Sequence, residues 1–292
     1  MAAAQVKQKT LQLQSVDRHD NLSREDFIEH YLKPGKPVVM RNFAKDWPAL
    51  KKWSYDYLKK TCGDVKVPLY AEAFAGSGND YLSSSNFMRF DEYLDLIQKG
   101  PSNLRMFLFN IHQNMPQLCE DFSYPDLNVS YLKKFPFMFF GGKGSHVDIH
   151  YDLDHSHVFL TQFEGKKRII LYGPDASTHL YRHPFTVSCN VDFRNPDLTR
   201  YPKVLDAKGY ECIVEHGDTL FMPSRWWHFV DYTTTGFSLS LRAMPNGMFR
   251  RARGLWSIAK LKLMDNNLSK IIGPKKWYEI KEAWARKKAA KL

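Results

Sequence analysis

Ser145-His-Val-Asp-Ile-His-Tyr-Asp152 places His150 and Asp152 two residues apart in a stretch that reads as extended chain. Side chains two apart on a strand share a face, so an imidazole and a carboxylate are expected side by side. The third ligand is expected from Met222-Pro-Ser-Arg-Trp-Trp-His228, where His228 follows a glycine turn and the apolar run 219–222. Two histidines and one carboxylate on one face of an octahedral ion leave positions open for a co-substrate and dioxygen, the arrangement of non-haem iron(II) sites. A His–Asp hydrogen bond near a strand end is the structural alternative. Coordination to a divalent cation offsets the desolvation of a buried, unpaired Asp, which favours the metal.

Outward from this stretch, the second half of the chain is dense in strand signals. Residues 147–151, 157–163, 168–172, 211–214, 219–222, 228–232 and 237–242 are expected as strands, with turns at Glu164-Gly165, Gly173-Pro-Asp175 and His216-Gly-Asp218. Many short strands with Gly/Pro turns favour a barrel or double-layered sheet over a doubly wound fold. Residues 175–208 have few periodic features and are expected as an insertion on one side. Lys167 precedes the apolar Ile169-Ile-Leu-Tyr172. It is either a hairpin surface lysine or an inward ammonium for the distal carboxylate of a dicarboxylate co-substrate. Trp226 and Trp227 supply bulk to both faces of their strand, and Phe229 is expected to help exclude water.

Upstream, Ser23 is expected to cap a helix carrying Phe27, Ile28, Tyr31 and Leu32, and Ser54 to cap one over 55–60. Short strands are expected at 38–40, 65–69 and 106–110, a loop at 75–80 and a helix over 90–98. Residues 115–126 are expected to be irregular, and 135–140 is too aromatic for a surface loop. Residues 1–20 are expected to be flexible or loosely packed, 21–245 to form the catalytic domain and 246–292 a basic helical segment.

The chain has 43% hydrophobic residues, including seven Trp and twenty Phe, enough for a sizeable core and too many for general disorder. Cys62, Cys119, Cys189 and Cys212 are scattered without a CxxC pair, which excludes a disulfide scaffold or zinc cluster and fits a reducing compartment. No signal peptide or membrane span is expected, so a cytoplasmic location is the default. Residues 250–292 hold thirteen Lys or Arg against three acids, so nearly all of the formal +11 lies there. Such a surface attracts RNA, an acidic protein or anionic lipid, or aids solubility. Apolar stripes at Leu255, Ile258, Ala259, Leu261 and Leu263, and at Trp277, Ile280, Ala283 and Trp284, are expected to pack on the core or to form a homodimer.

Taken together, Gly35-Lys-Pro-Val-Val39, Asp46-Trp-Pro48, Trp53-Ser54, His150-Tyr-Asp152, Gln162-Phe-Glu-Gly-Lys-Lys-Arg168, Val191-Asp-Phe-Arg-Asn-Pro-Asp197, Gly217-Asp-Thr-Leu-Phe-Met-Pro223 and Trp226-Trp-His228 resemble a known family. The chain looks like a Jumonji C, cupin-like 2-oxoglutarate oxygenase of the protein-hydroxylase branch. That group includes the asparaginyl hydroxylase acting on hypoxia-inducible factor and its bacterial relatives. The resemblance covers roughly residues 20–245. It implies a mainly β double-stranded β-helix, a cupin or jelly-roll barrel, with N-terminal flanking helices and a C-terminal helical appendage.

It also implies iron(II) held by His150, Asp152 and His228, with Lys167 on the C5 carboxylate of 2-oxoglutarate, and with dioxygen consumed as succinate and carbon dioxide form. Val147 and Phe107 stand where relatives carry a Thr and a Tyr, and the usual Asn matches His157 or Val158. Thr161 or His157 is therefore expected to supply replacement hydrogen bonds, and Arg242 to contact co-substrate or substrate. Retention of Asp152 argues against a halogenating variant. A protein side chain is the leading substrate. RNA modification through the basic tail, small-molecule hydroxylation, lysine demethylation and a catalytically silent binding protein are the alternatives.

Overall fold

The apolar runs become strands, and the computed structural model describes residues 10–70 and 86–292. The first half gives β1 (Gln12–Ser15), β2 (Asp17–His19), α1 (Arg24–Phe27), β3 (Val38–Met40), α2 (Ala49–Lys52), α3 (Tyr55–Cys62), β4 (Lys66–Leu69), β5 (Asn86–Arg89), α4 (Phe90–Lys99), β6 (Arg105–Asn110) and α5 (Ile111–Asn114). Next come β7 (Ser130–Tyr131), β8 (Phe137–Gly141), β9 (His146–His150), β10 (His157–Glu164), β11 (Lys167–Tyr172), β12 (Lys208–Val214), β13 (Thr219–Met222), β14 (Trp227–Tyr232) and β15 (Gly236–Met244). Three helices follow: α6 (Met248–Lys260), α7 (Asn266–Ile272) and α8 (Pro274–Ala289). Both expected serine caps form, Ser23 Oγ accepting from Asp26 N at 3.0 Å and Ser54 Oγ from Tyr57 N at 3.2 Å. The expected 75–80 loop lies outside the described residues.

Among the described residues, one sheet runs β1-β12-β11-β14-β9 and a larger one β2-β3-β13-β10-β15-β8-β6, with β7 on β15. From β8 onward the chain passes back and forth between them: β8, β10, β13 and β15 lie in the larger sheet, and β9, β11, β12 and β14 in the smaller. Gly165 makes the β10–β11 turn possible. Its φ is +71°, and a Cβ there would lie 2.1 Å from the Thr235 carbonyl oxygen.

Alternation along the strands sorts the core into three bodies. Val158 and Leu160 of β10, Ile169 and Leu171 of β11, and Leu220 and Met222 of β13 pack between the sheets. Phe159, Phe163, Phe221, Phe237 and Leu241 point the other way, against α1, α3 and α4. Ile170, Tyr172, Trp227 and Phe229 cover the outer face of the smaller sheet beneath residues 174–207 and α8. Strands buried on both faces read as continuous apolar runs. Each fully buried Phe contributes about 2–3 kcal/mol of transfer free energy.

One expectation is corrected here. Residues 12–19 are not a loose start: β1 pairs in parallel with β12 and β2 with β3. The sequence hides these strands because most of their side chains are polar. Backbone ladders hold them, helped by Val16 in the core and by Arg18 Nη1 on Asp218 Oδ2 at 2.6 Å. The stripes on the C-terminal helices, expected to pack on the core or to form a homodimer, are partly packed. Leu255, Leu263 and Trp284 are exposed, and the buried face of α8 consists of Trp277, Lys281, Glu282, Ala285 and Ala289. Its polar members meet polar partners. Lys281 Nζ and Trp277 Nε1 both donate to Asp265 Oδ1, at 2.9 and 2.8 Å. Glu282 is held by His183, Arg200 and Tyr201 of the 174–207 segment.

Candidate metal centre

His150 closes β9 directly opposite His228 on β14, and their ring centroids are 4.2 Å apart. The pairing contains a bulge. Between the His228–His150 and Val230–Val147 pairs, β9 has one residue more than β14. The extra residue shifts the strand's alternation, so Val147 and His150 both face the space between the sheets while Ile149 faces outward. Asp152 lies beyond the strand end, where Tyr151 N bonds Val187 O at 3.1 Å. Its carboxylate is fixed from β15: Arg242 Nη2 donates to Asp152 Oδ1 at 2.7 Å.

One ligand atom from each of His150, Asp152 and His228 lies within 4.8 Å of the others. His150 Nδ1 faces the Asp148 carbonyl at 2.8 Å, and His228 Nδ1 faces the Trp226 carbonyl at 3.1 Å. A carbonyl oxygen only accepts, so each Nδ1 carries the hydrogen and each Nε2 keeps its lone pair. Burial, reinforced by the neighbouring His228, pushes the His150 imidazole down to about 3, and burial lowers His228 as well. At Asp152, burial alone would raise the carboxyl, but Arg242 and the two imidazoles outweigh it and hold the group at about 2. Neutral imidazoles and an ionised carboxylate are the donor states that a divalent metal needs. These three residues therefore form a two-histidine, one-carboxylate cluster that fits iron(II).

The cluster opens on a cavity of about 320 Å³ lined from both sheets. Its wall is mostly apolar, with Phe137, Phe139, Val158, Leu160, Met222 and Val230 among the lining residues. Lys167 also lines it and is 1% exposed. Its Nζ donates to Ser238 Oγ and stands 4.5 Å from the centre of the Tyr232 ring, with no carboxylate partner among the described residues. Burial drives this ammonium well below the ordinary lysine range.

The other expected site residues divide. Arg242 reaches the cavity but is committed to Asp152, to Asp154 Oδ1 at 3.2 Å and to Ser156 Oγ at 3.2 Å. Thr161 and His157 are not brought to the cavity. Val158 and Leu160 occupy its side of β10, so 157 and 161 fall on the opposite face. There Thr161 Oγ1 bonds Thr219 Oγ1 at 2.8 Å, and His157 Nδ1 accepts from Ser224 N at 3.1 Å with its ring stacked on Phe221. Trp226, Trp227 and Phe229 are likewise absent from the wall. Trp226 donates to Gly35 O, while Trp227 and Phe229 pack outside the smaller sheet.

Val147 and Phe107 do line the cavity, so the two lost hydroxyls leave apolar wall. Tyr232 and Ser240, which sequence reasoning missed, line it too, and the buried Ser240 Oγ has no hydrogen-bond partner among the described residues. The alternation Ser238-Leu-Ser240-Leu-Arg242 carried the signal for Ser240. The four cysteines are unpaired, as expected. Among the described residues no helix is long and apolar enough to cross a membrane.

Comparison with known proteins gives matching results. The sequence profile of the family described as "Cupin-like domain" matches residues 24–244. The chain is 30% identical to the lysine-specific demethylase JMJ30 of Arabidopsis thaliana over 80% of its own length and 55% of that protein's. It is 30% identical to lysine-specific demethylase 8 of Xenopus tropicalis, over 75% of this chain and 50% of the other. With the tRNA wybutosine-synthesizing protein 5 of Gallus gallus it shares 28% identity, over 81% and 78%. The chain thus spans about half the length of the two demethylase-named relatives.

Proposed function

The chain belongs to the Jumonji C, cupin-like family of iron(II)- and 2-oxoglutarate-dependent oxygenases, and from that premise we propose that it hydroxylates a protein side chain. This is the chemistry of the protein-hydroxylase branch that includes the asparaginyl hydroxylase of hypoxia-inducible factor. One observation carries the proposal: the His150–Asp152–His228 cluster and an ammonium without a carboxylate, Lys167, share one largely apolar cavity. The passage of the chain between two facing sheets from β8 to β15 supports reading the core as a double-stranded β-helix.

His150 Nε2, His228 Nε2 and the Asp152 oxygen not bonded to Arg242 would hold the metal. When bound, iron(II) with 2-oxoglutarate and dioxygen supplies the oxidising power for C–H hydroxylation, and succinate and carbon dioxide leave. Lys167 anchors the distal carboxylate of 2-oxoglutarate, and Ser240 offers a hydroxyl beside it. Arg242 orients Asp152. The charges of iron(II), the 2-oxoglutarate dianion, Asp152, Asp154, Lys167 and Arg242 cancel, so the loaded cavity carries no net charge. The apolar wall from Val158 to Val230 keeps water from the reacting centre.

Demethylation is the same C–H hydroxylation applied to an N-methyl group, and the names of two relatives favour it as a second reading. The test is succinate formation with iron(II), 2-oxoglutarate and peptide pools, followed by mass spectrometry. Gain of one oxygen identifies hydroxylation and loss of a methyl group identifies demethylation. No substrate-dependent succinate from any peptide pool, with turnover on RNA, would reject a protein substrate in favour of the basic tail as an RNA surface. The exposed Leu255, Trp256, Leu263, Ile271 and Trp284 support a homodimer through the C-terminal helices, and a monomer mass in solution would reject it.

A further inference from the structure

A second cavity, of about 250 Å³, lies where three separate parts of the chain meet. The 174–182 segment contributes Asp175, Thr178 and Arg182, the turn between β13 and β14 contributes Arg225, and α8 contributes Lys288. The mouth thus carries three cationic side chains and one carboxylate. Among the described residues Asp175 forms no ion pair, and its Oδ1 folds back over its own turn, 2.4 Å from where a Gly173 Cβ would stand. Lys288 is exposed and has no acidic partner among the described residues. Arg225 stands at φ +67°, a backbone conformation that L side chains rarely adopt.

Two hydrogen bonds join the cleft to Tyr151 and Trp227, which pack against each other beside the His150–Asp152 segment. Arg182 Nη1 donates to Tyr151 OH at 3.2 Å, and Tyr151 sits between His150 and Asp152 and lines the larger cavity. Ser177 Oγ, on the cleft wall, accepts from Trp227 Nε1 at 3.0 Å, and the Trp227 ring meets Tyr151 edge-on. A group bound in the cleft is therefore separated from the His150–Asp152 segment by the Tyr151 side chain.

We propose that the cleft binds a single oxyanion, the carboxylate of an acidic residue flanking the modified residue in the protein substrate. The occupant rests on the protein-substrate reading of the metal centre; the anion site itself does not. Arg182 and Lys288, with Arg225 on the same wall, supply charge-assisted donors suited to one planar carboxylate. A polynucleotide carries charge at every phosphate and calls for a continuous basic track, whereas these cations surround one hole.

The test uses the full-length protein and a fluorescent hexaglutamate peptide, with inorganic phosphate as competitor at constant ionic strength. Lys288→Glu is expected to weaken the peptide about tenfold. Lys287→Glu makes the same charge change one residue away, off the cleft wall, and is expected to leave binding within a factor of two. Arg225→Ala should reproduce the loss, and phosphate should compete with wild type only. Equal effects of Lys288→Glu and Lys287→Glu would reduce the attraction to diffuse surface charge and overturn the site. Tighter binding of a uridine hexamer than of the peptide, with the same Lys288 dependence, would overturn the acidic-peptide occupant. Substrate-free conversion of 2-oxoglutarate to succinate should be unchanged in Lys288→Glu. Absence of that conversion from wild type itself would instead count against the oxygenase reading and leave the cleft standing.

Discussion

Arg242 Nη2 donates to Asp152 Oδ1 at 2.7 Å, and both side chains are nearly closed to solvent. One oxygen of the carboxylate is thereby engaged by the guanidinium, and the other would be the one to hold a metal. Replacing Arg242 by Met keeps the bulk and removes this hold. We expect iron(II) affinity to fall by about tenfold to a hundredfold, the range found when a ligand's supporting partner is removed. Titration of the metal into the variant checks it, and wild-type affinity would mean that Arg242 does not position Asp152.

Truncating the ligand should reveal the same pair from the other side. Asp152→Ala leaves Arg242 buried with Asp154 as its remaining acidic partner, so apo stability should fall by about 2–3 kcal/mol. His228→Ala removes a neutral imidazole and should cost less. Adding Arg242→Met to Asp152→Ala should restore much of the loss, and thermal melts of the single and double variants measure the coupling. Additive single effects would show that the two side chains are not energetically linked.

Lys167 makes a distinct prediction because it is buried without a counter-charge. Lys167→Met should raise apo stability by about 1–3 kcal/mol, since an isosteric apolar side chain needs no desolvation. The same change should raise the 2-oxoglutarate concentration needed for turnover at least tenfold, because a charge-assisted contact is lost. A destabilised variant with unaltered co-substrate dependence would place the ammonium elsewhere in function.

These residues mark what the sequence made legible. His150, Asp152, His228 and Lys167 do share one cavity, as expected: two-residue spacing put His150 and Asp152 together, and the family resemblance pointed to His228 and Lys167. The face of β10 could not: it is buried on both sides, so polarity did not distinguish Thr161 and His157, which pack outward, from Val158 and Leu160, which face the cavity. The β9 bulge depends on pairing with β14, and no local property of residues 146–150 encodes it. On β15 the alternation of Ser238, Ser240 and Arg242 with Leu239 and Leu241 does carry both faces, and it is the signal by which Ser240 could have been found. The polar face of α8 was hidden for a different reason: Lys281 and Glu282 are buried only because Asp265 and His183 meet them from elsewhere in the chain.

That last contact also sets a pH dependence. Glu282 Oε2 is 3.0 Å from His183 Nε2, while Oε1 accepts from Tyr201 OH at 2.7 Å and from Arg200 Nη2 at 3.2 Å. Burial tends to raise the Glu282 carboxyl, but the bonds from His183 and Tyr201 and the charge of Arg200 leave it below the usual glutamate range. A group whose folded value is depressed contributes stability above its unfolded value, near 4.3, and that contribution is lost as pH falls through the folded value. Acidification below about pH 4.3 should therefore loosen α8 from the 174–207 segment, seen as faster backbone hydrogen exchange in Ala285 and Ala289. In Glu282→Gln the exchange should already be faster at pH 7, by about tenfold, and should lose most of its dependence on pH beyond the intrinsic one. An identical acid response in wild type and variant would assign the loosening to other carboxylates.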